Sequence, residues 1–186
     1  MKNLIFVLIF VLISSTAASA KEIAGINMPD NLKLDNKTLV LNGTGVIKKF
    51  LFKVYAIGLY LEKKSSDENE LLNQDKPYII RLHFVRDDIP AENIIEAWNA
   101  GFEKSTDKKI TPIKKEIEQF NSYFTETIRE NNVFQFEYIP GTGTRVLINN
   151  QLKGTIPGWQ FKKALLSIWI GKNPRDSGVK DDLLDK

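Results

Sequence analysis

The feature that most limits what this chain can fold into is a double change of hydrophobic period. Apolar residues come in strand-like runs from Thr38 to Val85, recur every three or four residues from Ile94 to Phe124, and return to runs from Val133 to Ile156. Phe161, Leu165 and Ile168 then close the series at helical spacing. Strands, two helices, strands and one helix predict an α+β fold, its helices gathered on a large antiparallel sheet.

Local signals place the elements. Thr38 to Leu41 is a short strand, and the two glycines of Asn42-Gly43-Thr44-Gly45 predict a bend or bulge rather than a phosphate cradle, because no helix follows. Val46 to Leu61 is one long bent strand, or two joined by a tight turn near Lys48 and Lys49, and Tyr78 to Val85 is a strand with apolar residues on both faces. Asp88 is expected to cap a helix that holds Pro90 early, buries Ile94, Trp98 and Phe102, and runs through Lys104. Thr111-Pro112 starts a second helix with Ile113, Ile117, Phe120 and Phe124 as its buried stripe. Pro140-Gly141-Thr142-Gly143 and Asn149-Asn150 link antiparallel strands at Val133 to Ile139, Thr144 to Asn149 and Gln151 to Ile156. Pro157-Gly158 opens the last helix and Gly171, with Pro174 behind it, ends it. Flexible connections are expected only at Lys63 to Asp67 and in the polar tail after Gly171.

The chain begins with Lys2, an unbroken apolar run from Leu4 to Ile13 and a small-residue segment ending in Ala18-Ser19-Ala20. The run is about half the roughly 20 residues that span a bilayer, so residues 1–20 read as a signal peptide cleaved after Ala20 rather than as a membrane anchor. No membrane span is expected to remain. The remainder, residues 21–186, reads as one domain exported to the periplasm. It loses only one cation with the leader, so the formal charge falls from +3 to +2. The chain has no cysteine, which excludes disulfides, thiolate metal sites, a cysteine nucleophile and a lipid-modified lipoprotein. One histidine, His83, rules out a histidine metal cluster, and no metal or cofactor is expected. Near-neutral charge without aromatic-interleaved basic runs excludes a nucleic-acid partner.

Residues that carry chemistry are few. His83 lies inside a strand beside Leu82 and Phe84, with no patterned nucleophile, and reads as structural. Asp87-Asp88 reads as a cap and a solvated loop rather than a catalytic carboxylate pair. Lys48, Lys49 and Lys53 serve either as anion ligands at a pocket mouth or as plain strand-edge solubilisation.

The stretch from Gly43-Thr44-Gly45-Val46-Ile47-Lys48-Lys49-Phe50 into Phe52-Lys53-Val54-Tyr55-Ala56-Ile57-Gly58-Leu59-Tyr60-Leu61-Glu62 closely resembles the chalcone isomerase-like family, in particular its bacterial exported branch. Ala97-Trp98-Asn99-Ala100-Gly101-Phe102, Tyr138-Ile139-Pro140-Gly141-Thr142-Gly143-Thr144, and Lys153-Gly154-Thr155-Ile156-Pro157-Gly158 through Ser167-Ile168-Trp169-Ile170-Gly171 extend the likeness in order and spacing over about residues 35 to 175. The resemblance implies an open β-sandwich, a large antiparallel sheet backed by helices, with a pocket between sheet and helices. In the family's isomerases an arginine after the Gly-x-Gly segment holds the substrate oxyanion, and in its fatty-acid binders a similar arginine receives the carboxylate. The matching position here is Ile47, with Lys48 and Lys49 next to it. The family's substrate-orienting threonine matches Tyr55, its tyrosine matches Glu92, its asparagine matches Asn99, and its last threonine matches Ile168 beside Ser167.

The resemblance therefore implies a ligand site made of Ile47, Lys48, Lys49, Tyr55, Asn99, Ser167 and Ile168, with the catalytic set depleted because Ile47 supplies neither charge nor a hydrogen bond. The expected function is noncatalytic binding of a small hydrophobic molecule, fatty-acid-like or similar, in the cell envelope. One alternative is an isomerase or intramolecular lyase for an unsaturated carbonyl compound, with Tyr55 and Asn99 as donors and Lys48 or Lys49 as electrophile. Another is a structural or partner-binding envelope protein, in which Trp159 and Trp169 beside the last helix form a docking face or pack on the sheet.

Overall fold

The computed structural model describes residues 20–186, so the predicted signal peptide falls outside the described residues except for Ala20. The described chain starts with a small antiparallel ribbon, β1 (Ala20–Ile23) and β2 (Ile26–Pro29). Seven further strands form one sheet: β3 (Asn31–Leu34), β4 (Lys37–Lys49), β5 (Phe52–Leu61), β6 (Tyr78–Phe84), β7 (Val133–Ile139), β8 (Gly143–Ile148) and β9 (Gln151–Ile156). They lie side by side in chain order, and every neighbouring pair is antiparallel. The helices are α1 (Glu68–Asn73) between β5 and β6, α2 (Ala91–Ser105) and α3 (Lys114–Asn121) between β6 and β7, and then α4 (Trp159–Ile170) and α5 (Ser177–Leu183) after β9.

Alternation along the strands explains the two cores. Tyr55, Ile57, Leu59 and Leu61 of β5 and Tyr78, Ile80, Leu82 and Phe84 of β6 face the helices. Ala56, Tyr60 and Ile79 point the other way, onto Met28 of β2 and Leu34, Leu39 and Leu41. The apolar residues on both faces of β6 are thus accounted for: the β1–β2 ribbon covers the second face. Buried side chains of all five helices join the first core.

Three expectations are corrected. The tail after Gly171 is not a free connection, because α5 packs on β4 and buries Val179 and Leu183. A Cβ at Gly43 would sit 2.1 Å from the Asp182 carbonyl oxygen, and Asn42 Nδ2 donates to the Leu183 carbonyl at 2.7 Å. The glycines do accompany a bulge, with the register shifting between Leu41 and Gly43, but their smallness also lets a helix touch the strand backbone. Asp88 is not the helix cap. The segment before α2 is held extended by the bridge between Ile89 and Ile128, so α2 begins after Pro90 and Asp88 turns out to an ion pair with Arg129 at 3.0 Å. The second helix is shorter than its stripe, since a 3-10 turn at Thr111–Ile113 precedes α3 and the buried Phe124 lies beyond it.

Candidate functional site

The strand register brings some of the expected site residues together and separates others. Ile47 and Tyr55 are cross-strand partners on β4 and β5, both buried on the helix side. The Tyr55 hydroxyl accepts a bond from Trp169 Nε1 at 3.3 Å, and burial raises the phenol above its ordinary pKa. Ile168 and Ser167 lie on the buried side of α4, where Ile168 fills the space that the missing side chain of Gly101 leaves on α2. Asn99 is elsewhere. It follows Trp98 on α2, the next helical position turns it to solvent, and its Oδ1 accepts from Asn121 Nδ2 at 2.8 Å. Lys48 and Lys49 are exposed at the far end of β4, past a register shift between Ile47 and Lys48, and Glu92 is exposed as well.

The expected pocket between sheet and helices is occupied by the chain itself. Trp98 makes edge contacts with Phe120, Phe136 and Trp169 at centroid separations of 5.9 Å, and Phe102 and Phe161 close the same cluster around Phe120. These rings are buried, so the correction has a simple cause: aromatic side chains from α2, α3, α4 and β7 interlock where a ligand was expected. Trp159 and Trp169 are likewise not a joint docking face, since Trp169 is in the core and only Trp159 borders a cleft.

That cleft, of about 520 Å³, lies between the C-terminal end of α1, the β7–β8 turn and the start of α4. Trp159, Tyr138 and Pro157 form its apolar wall, and Asn73, Asp75 and Thr142 its polar rim. Behind the wall is Lys162, a lysine with no exposed surface. Its Nζ donates to the carbonyls of Leu71 at 2.9 Å and Gln74 at 3.0 Å, and lies 4.4 Å from the Trp159 ring centre and 5.3 Å from that of Tyr138. The ammonium therefore caps α1, which has no basic residue in its own last turn, and is held among π-faces. Desolvation lowers its pKa to about 8, and the nearby carboxylate of Asp75 opposes that shift. The Tyr138 hydroxyl donates to Asp75 Oδ1 at 2.5 Å; burial and this carboxylate both raise its pKa. Tyr78 donates to the Lys162 carbonyl from below at 3.2 Å.

None of the cleft residues belongs to the expected set. Pro140-Gly141-Thr142-Gly143 and Pro157-Gly158 read in the sequence as connections, which they are, and their positive φ at Gly141, Gly143 and Gly158 folds them into the cleft wall. The available signal was a lysine next to Phe161 on the otherwise apolar face of α4.

A family model for chalcone isomerase-like proteins matches residues 20–185. The chain belongs to the chalcone isomerase-like family. The crystal structure of an Arabidopsis thaliana fatty-acid binding protein shares the chalcone isomerase-like fold with a TM-score of 0.73, over 87% of this chain and 92% of that one, at 20% identity. No curated protein matches the chain. Within the chalcone isomerase-like fold, Ile47 and Tyr55 keep their places on adjacent strands, the charge of Arg175 from the segment after α4 acts on the buried Tyr55 phenol and opposes the rise that burial causes, and Asn99 brings no amide there. An anion developing there would meet the indole N–H that already serves Tyr55 and the charge of Arg175, a smaller set than the several preorganised donors that acyl or enolate chemistry uses.

Proposed function

We propose that this chalcone isomerase-like protein belongs to the family's bacterial exported branch and is a noncatalytic periplasmic binder of a small hydrophobic ligand, fatty-acid-like or similar. The observation that carries the reading is the cleft of about 520 Å³ walled by Trp159, Tyr138 and Pro157, within the 300–1,000 Å³ range of small-molecule sites. Lys162 and Asp75 hold the two aromatic walls through π and hydrogen-bond contacts, so the surface is preformed and a ligand need not order it. The apolar wall of Trp159 and Tyr138 suits an alkyl chain. The Asp75 carboxylate disfavours a carboxylate head beside it, whereas Lys163, which donates to the cleft residue Asn73, offers the opposite charge. The outward turn of Asn99, together with an uncharged Ile47 opposite Tyr55, supports the noncatalytic half, and the fold shared with a fatty-acid binding protein supports the ligand class.

Native mass spectrometry of the protein purified without detergent from its own host tests this reading. A co-purifying species of lipid-like mass is expected, reduced in Trp159→Ala with the circular dichroism spectrum retained. A consistently empty protein refutes the binding function. A chalcone cyclisation assay checks the other half: no acceleration over buffer is expected, and activity that disappears in Tyr55→Phe would overturn the noncatalytic assignment.

A further inference from the structure

The β4–β5 hairpin carries three consecutive apolar residues out of the sheet into water: Phe50 is 89% exposed, Leu51 93% and Phe52 64%. Lys49 pairs with Phe52, which leaves Phe50 and Leu51 as a two-residue loop at the tip. Phe50 has φ of +56°, in the left-handed region that bulky residues avoid and that glycine or asparagine fills at little cost. Neither backbone geometry nor packing inside this molecule calls for phenylalanine and leucine there. An exposed apolar run of this kind marks a contact surface.

Charge identifies the surface it fits. Lys48, Lys49 and Lys53 flank the tip on both strands and are exposed, and the exposed Arg86 lies over Phe52 with its guanidinium carbon 5.2 Å from the ring centre. Among the described residues none of these four cations has a carboxylate within 4.0 Å, whereas the nearest acidic pair in sequence, Asp87 and Asp88, is taken up by Arg129. Two paired positions, Lys48 with Lys53 and Lys49 with Phe52, join the tip across a bulge to the buried pair Ile47 and Tyr55, so the tip is anchored in the sheet. A convex apolar point inside a collar of cations matches a bilayer, whose hydrocarbon begins just below an anionic headgroup layer, and lysine stems reach back to that layer. A protein groove would have to be both deeply apolar and rimmed with acid to do the same.

We propose that the Phe50-Leu51-Phe52 tip docks this protein onto anionic lipid bilayers, the three apolar side chains entering the headgroup–acyl boundary while Lys48, Lys49, Lys53 and Arg86 hold the headgroups. The attachment is peripheral and reversible, and no described helix is long and apolar enough to cross a membrane. It goes beyond ligand binding and does not depend on it. The cleft lies at the other end of the strands, where Tyr138 pairs with Tyr78 and Tyr78 with Leu61, nine residues along β5 from Phe52.

Co-flotation of the protein with vesicles of phosphatidylethanolamine and phosphatidylglycerol, against vesicles of phosphatidylcholine alone, tests the proposal. Binding to the anionic vesicles is expected to be roughly tenfold tighter and to weaken as salt is raised. The double variant Phe50→Asn, Leu51→Asn places asparagine at the positive φ of Phe50 and a polar residue at the exposed Leu51, and is expected to stay folded while losing binding by roughly tenfold or more. In Phe50→Trp, the fluorescence added by the new indole is expected to shift to the blue on vesicle binding. The proposal is overturned if the wild type floats with neither vesicle, if the double asparagine variant binds like the wild type, if no blue shift appears, or if the tip engages a stoichiometric protein partner and no bilayer. The Trp159→Ala variant is expected to float like the wild type, which separates this result from failure of the cleft.

Discussion

The two ends of the sheet break the same rule in opposite directions. At the β4–β5 tip three apolar side chains stand in water, and at the α1–α4 end an ammonium stands inside the protein. The buried cation is compensated locally: two carbonyls accept its hydrogen bonds, aromatic faces surround its charge and Asp75 lies close by. The exposed apolar tip has no such compensation within the molecule, and its backbone is strained as well. The β8–β9 hairpin shows what the fold alone asks of such a loop. Its two central residues, Asn149 and Asn150, also have positive φ, and both are the polar residue that best tolerates it. A departure that the structure satisfies is part of the structure; one that it leaves unsatisfied points outward.

The largest effect should come from removing the compensated group. Lys162→Ala deletes the buried stem and leaves the Leu71 and Gln74 carbonyls unpaired, and is expected to lower unfolding free energy by about 2–4 kcal/mol in denaturant titration. A neutral result would break the contrast by showing that Lys162 does not hold α1 to α4.

A pH series sharpens it. Burial lowers Lys162 from 10.5 to about 8, so between those values the unfolded chain binds the proton that the folded one has released. Stability from this group is therefore lowest below pH 8 and rises with pH across that window, by at most about 1.4 kcal/mol per unit. Tyr60, Tyr78 and Tyr138 act the other way: their raised folded pKa values take stability away once the unfolded phenols ionise above about pH 10. The gain of the wild type relative to Lys162→Met, followed from pH 7 to 10, is expected to increase; a flat difference would remove the buried ammonium from the account. Next in size is Tyr138→Phe, which removes the bond to Asp75 and should cost about 1 kcal/mol.

The smallest effect, and the one of opposite sign, belongs to the tip. In the double variant Phe50→Asn, Leu51→Asn, the change at Phe50 relieves the left-handed strain of that residue, and stability is expected to rise by about 0.5–1 kcal/mol, read from the denaturation midpoint. A loss of stability there would mean that the tip side chains serve the fold after all.

Much of the fold was readable because its causes are local. Asn149-Asn150 and the stripe of Ile94, Trp98 and Phe102 declare turn and helix through backbone preference and spacing within a few residues. α1 and α5 escaped notice: at six and seven residues they are too short for a period to show, and α5 exists as packed structure because the glycines of β4, about 135 residues earlier, leave room for it. Of the expected site, the pairing of Ile47 with Tyr55 follows from a hairpin and could be anticipated, whereas the outward turn of Asn99 follows from which face of α2 meets the sheet.

By itself the sequence determined the element order, the antiparallel connections and the aromatic stripes, since each is written in residue type and short-range spacing. Only the tertiary structure decided that those stripes interlock and fill the interior, that Lys162 is surrounded rather than solvated, and that Phe50 and Leu51 are left outside. Burial is a property of what arrives from elsewhere in the chain, so the same apolar side chain is core at Trp98 and surface at Phe50 according to which elements cover it.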